Sequence, residues 1–301
     1  MDGIRNRPSS EKEPMIEMQA LLRRHPLTSY FAIVFALSWG ALFLLLGPDT
    51  ALGGWAESKG LGFVTILLGT LLGPAVAGLG LTALLDGRAG LRELWARLRR
   101  WRVGEGWYAL ALLTAPLCAT GVLFALSLAT PTYLPGFFKG QGVAVAVLGS
   151  LAAAAVVGLF EEIGWTGFAI PRLRRRHGTL ATGLLVGVLW GVWHGPLFWG
   201  AAQIAGPNAW PLVLAVMLFS FLPPFRVLLV WAHDRTGSLL IAVLMHMSLT
   251  ATTIVLQLLG RGMPTVPYDL ALAASFWAVI AIGAMVMQAR RLTHATRAAM
   301  A

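Results

Sequence analysis

The stretch Phe160-Glu161-Glu162-Ile163-Gly164-Trp165-Thr166-Gly167-Phe168 places two adjacent carboxylates inside an apolar run. The residues before it, 143–159, carry no charge, and neither do residues 163–170 after it. A carboxylate at membrane depth is energetically costly unless it is paired or neutralised. The doublet is therefore either a functional site or a buried acid pair that fixes helix packing, and its partners must decide between the two.

The composition of the chain indicates a polytopic membrane protein. Of its 301 residues, 57% are hydrophobic and only 12% are charged, whereas soluble proteins have about 25% charged residues. The net charge of +10 could suggest nucleic acid as a partner. The basic residues cluster at the ends of apolar runs, however, where lipid headgroups and topology explain them, so we expect a bilayer and no nucleic acid.

Eight apolar runs are each about long enough to cross ~30 Å of hydrocarbon. We therefore predict an all-α fold, a bundle of about eight transmembrane helices that forms one domain over residues 27–289. The Pro223-Pro224 pair is expected to kink or break the sixth span. The predicted spans lie near 27–47, 61–85, 106–129, 142–170, 179–200, 209–232, 238–259 and 268–288.

The segments outside the predicted bundle are polar and basic. Residues 1–26 form a polar N-terminal tail, in which Met15–Leu22 is either a short helix on the membrane surface or part of a disordered segment. Residues 290–301 form a basic C-terminal tail. Arginines concentrate in every second connection, which places both termini in the cytoplasm by the positive-inside rule. We expect an integral protein of a bacterial plasma membrane.

Two of the six histidines, His194 and His246, lie within apolar sequence. One such histidine is usually a hydrogen-bonded core residue. Two of them with a carboxylate pair, on three different spans, suggest a shared cavity. By helical rise, His246 lies ~12 Å and Glu161 ~16 Å from the cytoplasmic ends of their spans, whereas His194 lies ~23 Å deep. A tilted or later-starting fifth helix would bring the three together.

These residue types are suited to the hydrolysis of a carbonyl compound by water. A carboxylate beside an imidazole can hold a water molecule and remove its proton, and a second imidazole can donate to the oxyanion. Alternatively, Glu161, His194 and His246 match a three-ligand zinc set. The sequence lacks H-E-x-x-H, so a standard zincin helix is excluded, and both alternatives remain open.

Three short motifs occur in the order and membrane placement of one known family. They are Glu161 to Thr166 for Glu-Glu-x-x-x-Arg, Trp190 to His194 for Phe-x-x-x-His, and His246 to Thr250 for His-x-x-x-Asn. With these motifs the chain resembles the CPBP family of intramembrane proteases, which includes CAAX prenyl endopeptidases and bacteriocin-processing or immunity homologues. The CPBP-like core covers about 142–259.

The resemblance implies roles for individual residues. Glu161 and His194 would activate water, and His246 would donate to the oxyanion; Glu162 and Thr250 complete the candidate catalytic set. Thr166 replaces the arginine of the first motif, so the i,i+4 partner of Glu162 is missing. We expect Arg226 to supply that positive charge. Trp190 replaces a phenylalanine, which is interpreted as a packing change.

Three functions remain open from the sequence. The first is an endopeptidase that cuts a membrane-associated peptide or protein, with prenylated CAAX proteins as a substrate class. The second is a non-catalytic CPBP scaffold that binds a peptide or confers immunity, which the Thr166 and Thr250 substitutions favour. The third is a transporter with the carboxylate pair as a proton relay; two spaced histidines and the lack of obvious repeats count against it.

Overall fold

The computed structural model describes residues 12–47, 61–134, 143–196, 210–259 and 265–300, and these ranges contain helices and turns but no β-strand. In chain order the helices are α1 (Lys12–Arg24), α2 (Pro26–Leu46), α3 (Leu61–Leu98), α4 (Glu105–Ser127), α5 (Val143–Gly164), α6 (Ile170–Leu173), α7 (Thr179–Trp193), α8 (Trp210–Val216), α9 (Leu222–Thr236), α10 (Leu239–Leu259) and α11 (Thr265–Met300).

The all-α prediction is confirmed, and the protein is an integral membrane protein. Within the described ranges, five helical segments are long and apolar enough to cross a membrane: Pro26–Leu44, Glu105–Ser127, Val147–Leu173, Leu239–Leu256 and Thr265–Ala289. The shorter α7 is also apolar. The count of eight spans and the cytoplasmic termini stay predictions. Residues 1–11, 142, 197–200, 209 and 301, which the predicted tails and spans include, lie outside the described residues.

Helix α3 consists of two helical segments that meet at a kink at Gly87 (φ 63°, ψ −155°), close to the end of the predicted span 61–85. The second segment runs through the arginine-rich sequence to Leu98. A side chain at this positive φ would be strained, so glycine allows the turn. At the N-terminus, α1 includes the whole of Met15–Leu22, and the helical alternative for this segment is the one observed.

Two π-helical turns, Trp165–Ala169 and Met217–Phe221, interrupt the regular helices. Each comes just before a helix with proline in its first positions, Pro171 in α6 and Pro223 in α9. A proline lacks an amide hydrogen, and its ring collides with the carbonyl four residues earlier in a regular helix. A wider turn relieves this conflict. The chain therefore stays helical across Pro223-Pro224 instead of breaking there.

Glycines on one face of α7 allow it to lie directly against α9. Gly183, Gly187 and Gly191 recur every four residues, which places them on one side of the helix. A Cβ atom at Gly183 would lie 2.5 Å from the Cα of Val227, and one at Gly187 would lie 2.6 Å from the Cα of Pro223. Only a hydrogen fits at these positions, as expected for close helix contact in a membrane.

Helix α5 carries the carboxylate doublet and packs just as closely on both sides. A Cβ atom at Gly158 would lie 2.9 Å from the carbonyl oxygen of Val243 in α10. On the other side, a Cβ at Gly78 of α3 would lie 2.8 Å from the Cα of Gly164. The doublet is therefore held near the centre of a group of helices that includes α3, α5 and α10.

The basic connections meet at the same end of the bundle. Arg172 forms an ion pair with Asp86, and Arg174 Nε lies 2.9 Å from Asp234 Oδ2. Ser238 Oγ donates to the carbonyl oxygen of Arg100, 2.6 Å away. The segments that follow α3, α6 and α9 thus share one face, which agrees with their common side in the predicted topology.

Candidate active site

Glu162 is the most completely paired acid of the doublet. Its Oε1 atom accepts from Arg226 Nη1 at 2.7 Å and from His246 Nδ1 at 2.7 Å. Its Oε2 atom accepts from the hydroxyl of Thr166, one helical turn further along. Glu162 and Arg226 are both 0% exposed. Arg226 thus occupies the position expected of the charge that Thr166 does not supply.

Glu161 has different partners, although it is the adjacent residue. Its Oε2 atom accepts from the indole nitrogen of Trp190 at 2.7 Å and from that of Trp165 at 3.3 Å. His246 Nε2 lies 4.0 Å from the same oxygen. Glu161 is 2% exposed. Its bonded partners are therefore two neutral donors, and the nearby imidazole is beyond hydrogen-bond distance.

The helical geometry of α5 explains this difference. Successive residues on an α-helix point about 100° apart. Glu162 is directed at α9 and α10, which carry Arg226 and His246, whereas Glu161 is directed at Trp190 on α7. The π-helical turn that follows carries Trp165 and Thr166, and each donates to the carboxylate four residues before it.

The two histidines both contact the Trp190 ring. The ring centroids of His194 and His246 are 5.2 Å and 5.0 Å from that of Trp190, both in edge-to-face geometry. His194 is the first residue after α7, and its Nδ1 lies 2.9 Å from the carbonyl oxygen of Trp190. Since a carbonyl only accepts, we assign the proton of a neutral His194 ring to Nδ1.

Helix α7 begins at Thr179, so the alternative of a later-starting helix is wrong. The His194 ring nevertheless lies beside Trp190, whose indole N–H binds Glu161. The structure thus brings Glu161, Glu162, Arg226, His194 and His246 together.

Thr250 has no part in the hydrogen bonds described for this cluster. It lies one turn after His246 on α10 and is partly buried.

The comparisons with known proteins concern the helices that carry this cluster. Residues 143–252 match the family model for type II CAAX prenyl endopeptidase Rce1-like proteins. The chain is also 26% identical over 92 residues to CAAX prenyl protease 2 of Methanococcus maripaludis, which covers 29% of this chain and 33% of that protein. The chain thus spans about a third of the length of that relative.

Residues 143–252, less than half of the chain, are therefore similar to the Rce1-like family.

The zinc set considered from the sequence, Glu161, His194 and His246, stays a prediction. Among the residues described, no three His, Cys, Asp or Glu side chains are placed to hold one ion. The chemistry below is therefore derived from the side chains themselves.

The indole donors to Glu161 were not predicted from the sequence. Trp190 was interpreted as a packing substitute for phenylalanine, but its N–H group binds Glu161 and its ring lies under Arg226, with Cζ 4.2 Å from the ring centroid. Nε and Nη2 of Arg226 have no hydrogen-bond partner among the described residues, so the aromatic face provides part of the compensation for the guanidinium charge. Trp190 therefore contacts both Glu161 and Arg226, the partner of Glu162.

Arg97 is a second residue that the motifs could not indicate. Its Nη2 donates to the carbonyl oxygen of Gly167, 2.9 Å away, in the π-helical turn beside the doublet. Pro171 lies four residues after Gly167 and has no amide hydrogen to offer that carbonyl. Burial lowers the pKa of Arg97, although arginine stays charged near neutral pH. Arg97 thus stabilises the turn that carries Trp165 and Thr166.

An apolar groove of about 290 Å³ lies between α4, α5 and α10, apart from the charged cluster. Its walls include Leu112, Pro116, Leu151 and Val255, and none of the five clustered side chains lines it. The groove therefore gives no access to the doublet.

Proposed function

We propose that this protein is an intramembrane endopeptidase that hydrolyses a peptide bond in a membrane-associated peptide or protein. The observation that carries the proposal is the convergence of two carboxylates, two imidazoles and one guanidinium in the core that matches the Rce1-like family. A buried charged cluster of this kind is expensive to maintain in a membrane, which favours a catalytic role over simple packing.

His246 is proposed as the donor to the oxyanion. With His246 protonated, the cluster contains two negative groups, Glu161 and Glu162, and two positive ones, Arg226 and His246. A balanced set is the least costly arrangement of buried charge. The imidazolium donates from Nδ1 to Glu162, and Nε2–H, on the side of Glu161, then provides a charged donor for the oxygen of the tetrahedral intermediate.

Glu161 and His194 are proposed to activate the water. Glu161 acts as the general base, with its carboxylate oriented by the indole N–H groups of Trp190 and Trp165. His194 has Nδ1 bonded to a carbonyl, so Nε2 is its acceptor for a water proton. The water attacks the scissile carbonyl as its proton moves to the base, and the same proton then goes to the leaving amine. Thr250 would add a neutral hydroxyl donor near His246.

We further propose a C-terminal CAAX-type prenylated peptide as the substrate. The family description and the name of the Methanococcus relative both refer to CAAX prenyl proteolysis. An integral membrane protein suits such a substrate, because a prenyl anchor confines the peptide to the bilayer surface.

The test uses purified protein in lipid vesicles with a farnesylated CAAX peptide and the same peptide without the lipid. Mass spectrometry identifies the cleaved bond. Glu161→Gln should reduce the rate by about 10²–10⁴-fold, the range for loss of a general base. Glu105→Gln, an exposed acid at the start of α4, is the matched control and should cleave at the wild-type rate. Equal products from wild type and Glu161→Gln would refute the hydrolase.

Metal dependence is tested on the same preparation. We expect a strong chelator to leave the rate unchanged, because the side chains alone supply the base and the donor. Loss of activity with the chelator and recovery with Zn²⁺ would contradict this mechanism.

The alternative is a CPBP scaffold that binds a peptide without cutting it. It is favoured by the burial of Glu161 and His246, each only 2% exposed, together with Thr166 and Thr250 in place of the family's arginine and asparagine. Under this alternative the farnesylated peptide would bind to wild type and to Glu161→Gln with the same affinity, and neither would release a product.

A further inference from the structure

The segment Arg88–Arg102 has a basic outer face that the hydrolysis reaction does not use. It follows the Gly87 turn in α3 and contains six arginines but only one acid, Glu93. Arg88, Arg92 and Arg99 are exposed and spaced at i, i+4 and i+11, which puts them on one side of the helical path. Trp95, at i+7, lies on the same side.

Two exposed tryptophans are combined with these arginines. Trp95 is 56% exposed and Trp101 is 61% exposed. The guanidinium carbon of Arg99 lies 5.6 Å from the Trp95 ring centroid, and that of Arg102 lies 5.1 Å from the Trp101 ring centroid. Tryptophan prefers the boundary between hydrocarbon and water. Each pair therefore presents an interfacial ring with a cation beside it.

The inner face of the segment is attached to the protein. Leu94 is 5% exposed, and its Cδ1 atom would lie only 2.6 Å from a Cβ atom placed at Gly167. Arg97 donates to the Gly167 carbonyl oxygen, and the Arg100 carbonyl oxygen accepts from Ser238. The segment is thus held against the π-helical turn and the start of α10, whereas Arg88, Arg92, Trp95 and Arg99 are exposed.

We propose that the outer face of Arg88–Arg102 binds the headgroups of anionic phospholipids. The charge is complementary, and the segment connects α3 to the membrane-crossing α4, so it lies at the boundary of the bilayer. Five of its six arginines are exposed, and four of these, Arg88, Arg92, Arg99 and Arg102, can reach phosphates while the indoles remain in the interface. This inference does not depend on the proposed protease activity.

The experiment measures lipid binding by the full-length protein in neutral detergent. Micelles contain equal amounts of dioleoylphosphatidylglycerol and dioleoylphosphatidylcholine, and native mass spectrometry counts the lipids that stay bound. We expect wild type to retain phosphatidylglycerol preferentially. Arg99→Gln/Arg102→Gln should weaken this binding about fivefold per arginine, the effect of ~1 kcal/mol for each basic residue near an anionic surface.

The matched control is Arg175→Gln/Arg176→Gln, which removes the same charge from exposed positions after α6 and should keep the wild-type preference. Equal retention of both lipids by wild type, or an equal loss in both double variants, would overturn the proposal. So would complete displacement of phosphatidylglycerol by excess inorganic phosphate, which would indicate a site for small anions. If Arg99→Gln/Arg102→Gln does not fold, Arg88→Gln is measured in its place, together with the salt dependence of lipid binding by wild type.

Discussion

The two neighbouring acids of α5 occupy opposite kinds of surroundings. Glu162 is bound by a guanidinium, an imidazole and a hydroxyl. Glu161 is bound by two indole N–H groups, and its nearest imidazole nitrogen is 4.0 Å away. Both are buried, so the difference lies in their partners and not in exposure. A rotation of 100° between adjacent helical residues is enough to separate a structural ion pair from a candidate base.

This comparison indicates how a membrane protein can keep a reactive carboxylate. A buried charge needs compensation, but direct pairing with a cation makes it a poor base. Here Glu162 has the direct ion pair, and it also orients His246. Glu161 receives neutral donors that hold the carboxylate without a salt bridge. If Glu162 is mainly structural and Glu161 is the base, variants of their partners should differ in their effects as follows.

The largest effect is expected when the ion pair between Glu162 and Arg226 is broken. Arg226→Met leaves the carboxylate without its guanidinium and should lower the free energy of unfolding by about 3–5 kcal/mol, as for other broken buried pairs. Denaturation with SDS in mixed micelles measures this. Arg175→Met, at an exposed position, should change stability by no more than ~0.5 kcal/mol. The double variant Glu162→Gln/Arg226→Met should recover part of the loss; no recovery would argue against the pair.

A smaller loss of stability is expected when Glu161 loses one of its two indole donors. The loss should differ between Trp190 and Trp165. Trp190→Phe removes a donor at 2.7 Å and should cost about 1.5–3 kcal/mol, the range for hydrogen bonds to charged groups. Trp165→Phe removes the same atoms but a longer bond of 3.3 Å, and should cost less. The same unfolding assay applies. Equal losses would mean that packing, and not the indole bond, determines the result.

The smallest effect concerns the contact of α7 with α9. This contact sets the distance between Trp190 on α7 and Arg226 on α9. Gly187→Ala forces a methyl group against the backbone of Pro223 and should destabilise the protein by about 1–3 kcal/mol. Gly149→Ala, on α5, meets no atom within 4 Å and should be neutral or stabilising by up to ~1 kcal/mol. A neutral Gly187→Ala would show that the contact can relax.

The sequence allowed the positions of the helices to be predicted better than their ends. The apolar run 27–47 agrees closely with α2, because length and hydropathy are local properties. The run 179–200 was predicted as one span. Helix α7 ends at Trp193, just before Gly195-Pro196, and residues 197–200 lie outside the described residues. The extension of α3 to Leu98 was also missed, because its arginines were interpreted as a connection.

For the candidate site, the sequence indicated which groups are costly in a membrane but not most of their bonds. The location of Arg226 in an apolar span and the missing arginine at Thr166 were enough to suggest its pairing with Glu162. No comparable signal pointed to the indole of Trp190, because a tryptophan in a membrane span is usually a packing or interfacial residue. The contact of Arg97 with Gly167 joins elements 70 residues apart, beyond the reach of any local pattern.

The sequence by itself determined that the chain is helical, that it resides in a membrane, and that a small set of charged groups must be sheltered there. These properties follow from composition and spacing, because lipid excludes unpaired polar groups wherever they occur. Only the tertiary structure decided which carboxylate receives the cation and which receives the indoles. That choice depends on the rotation of α5 and on the close approach of α7 to α9, and both are set by packing between helices.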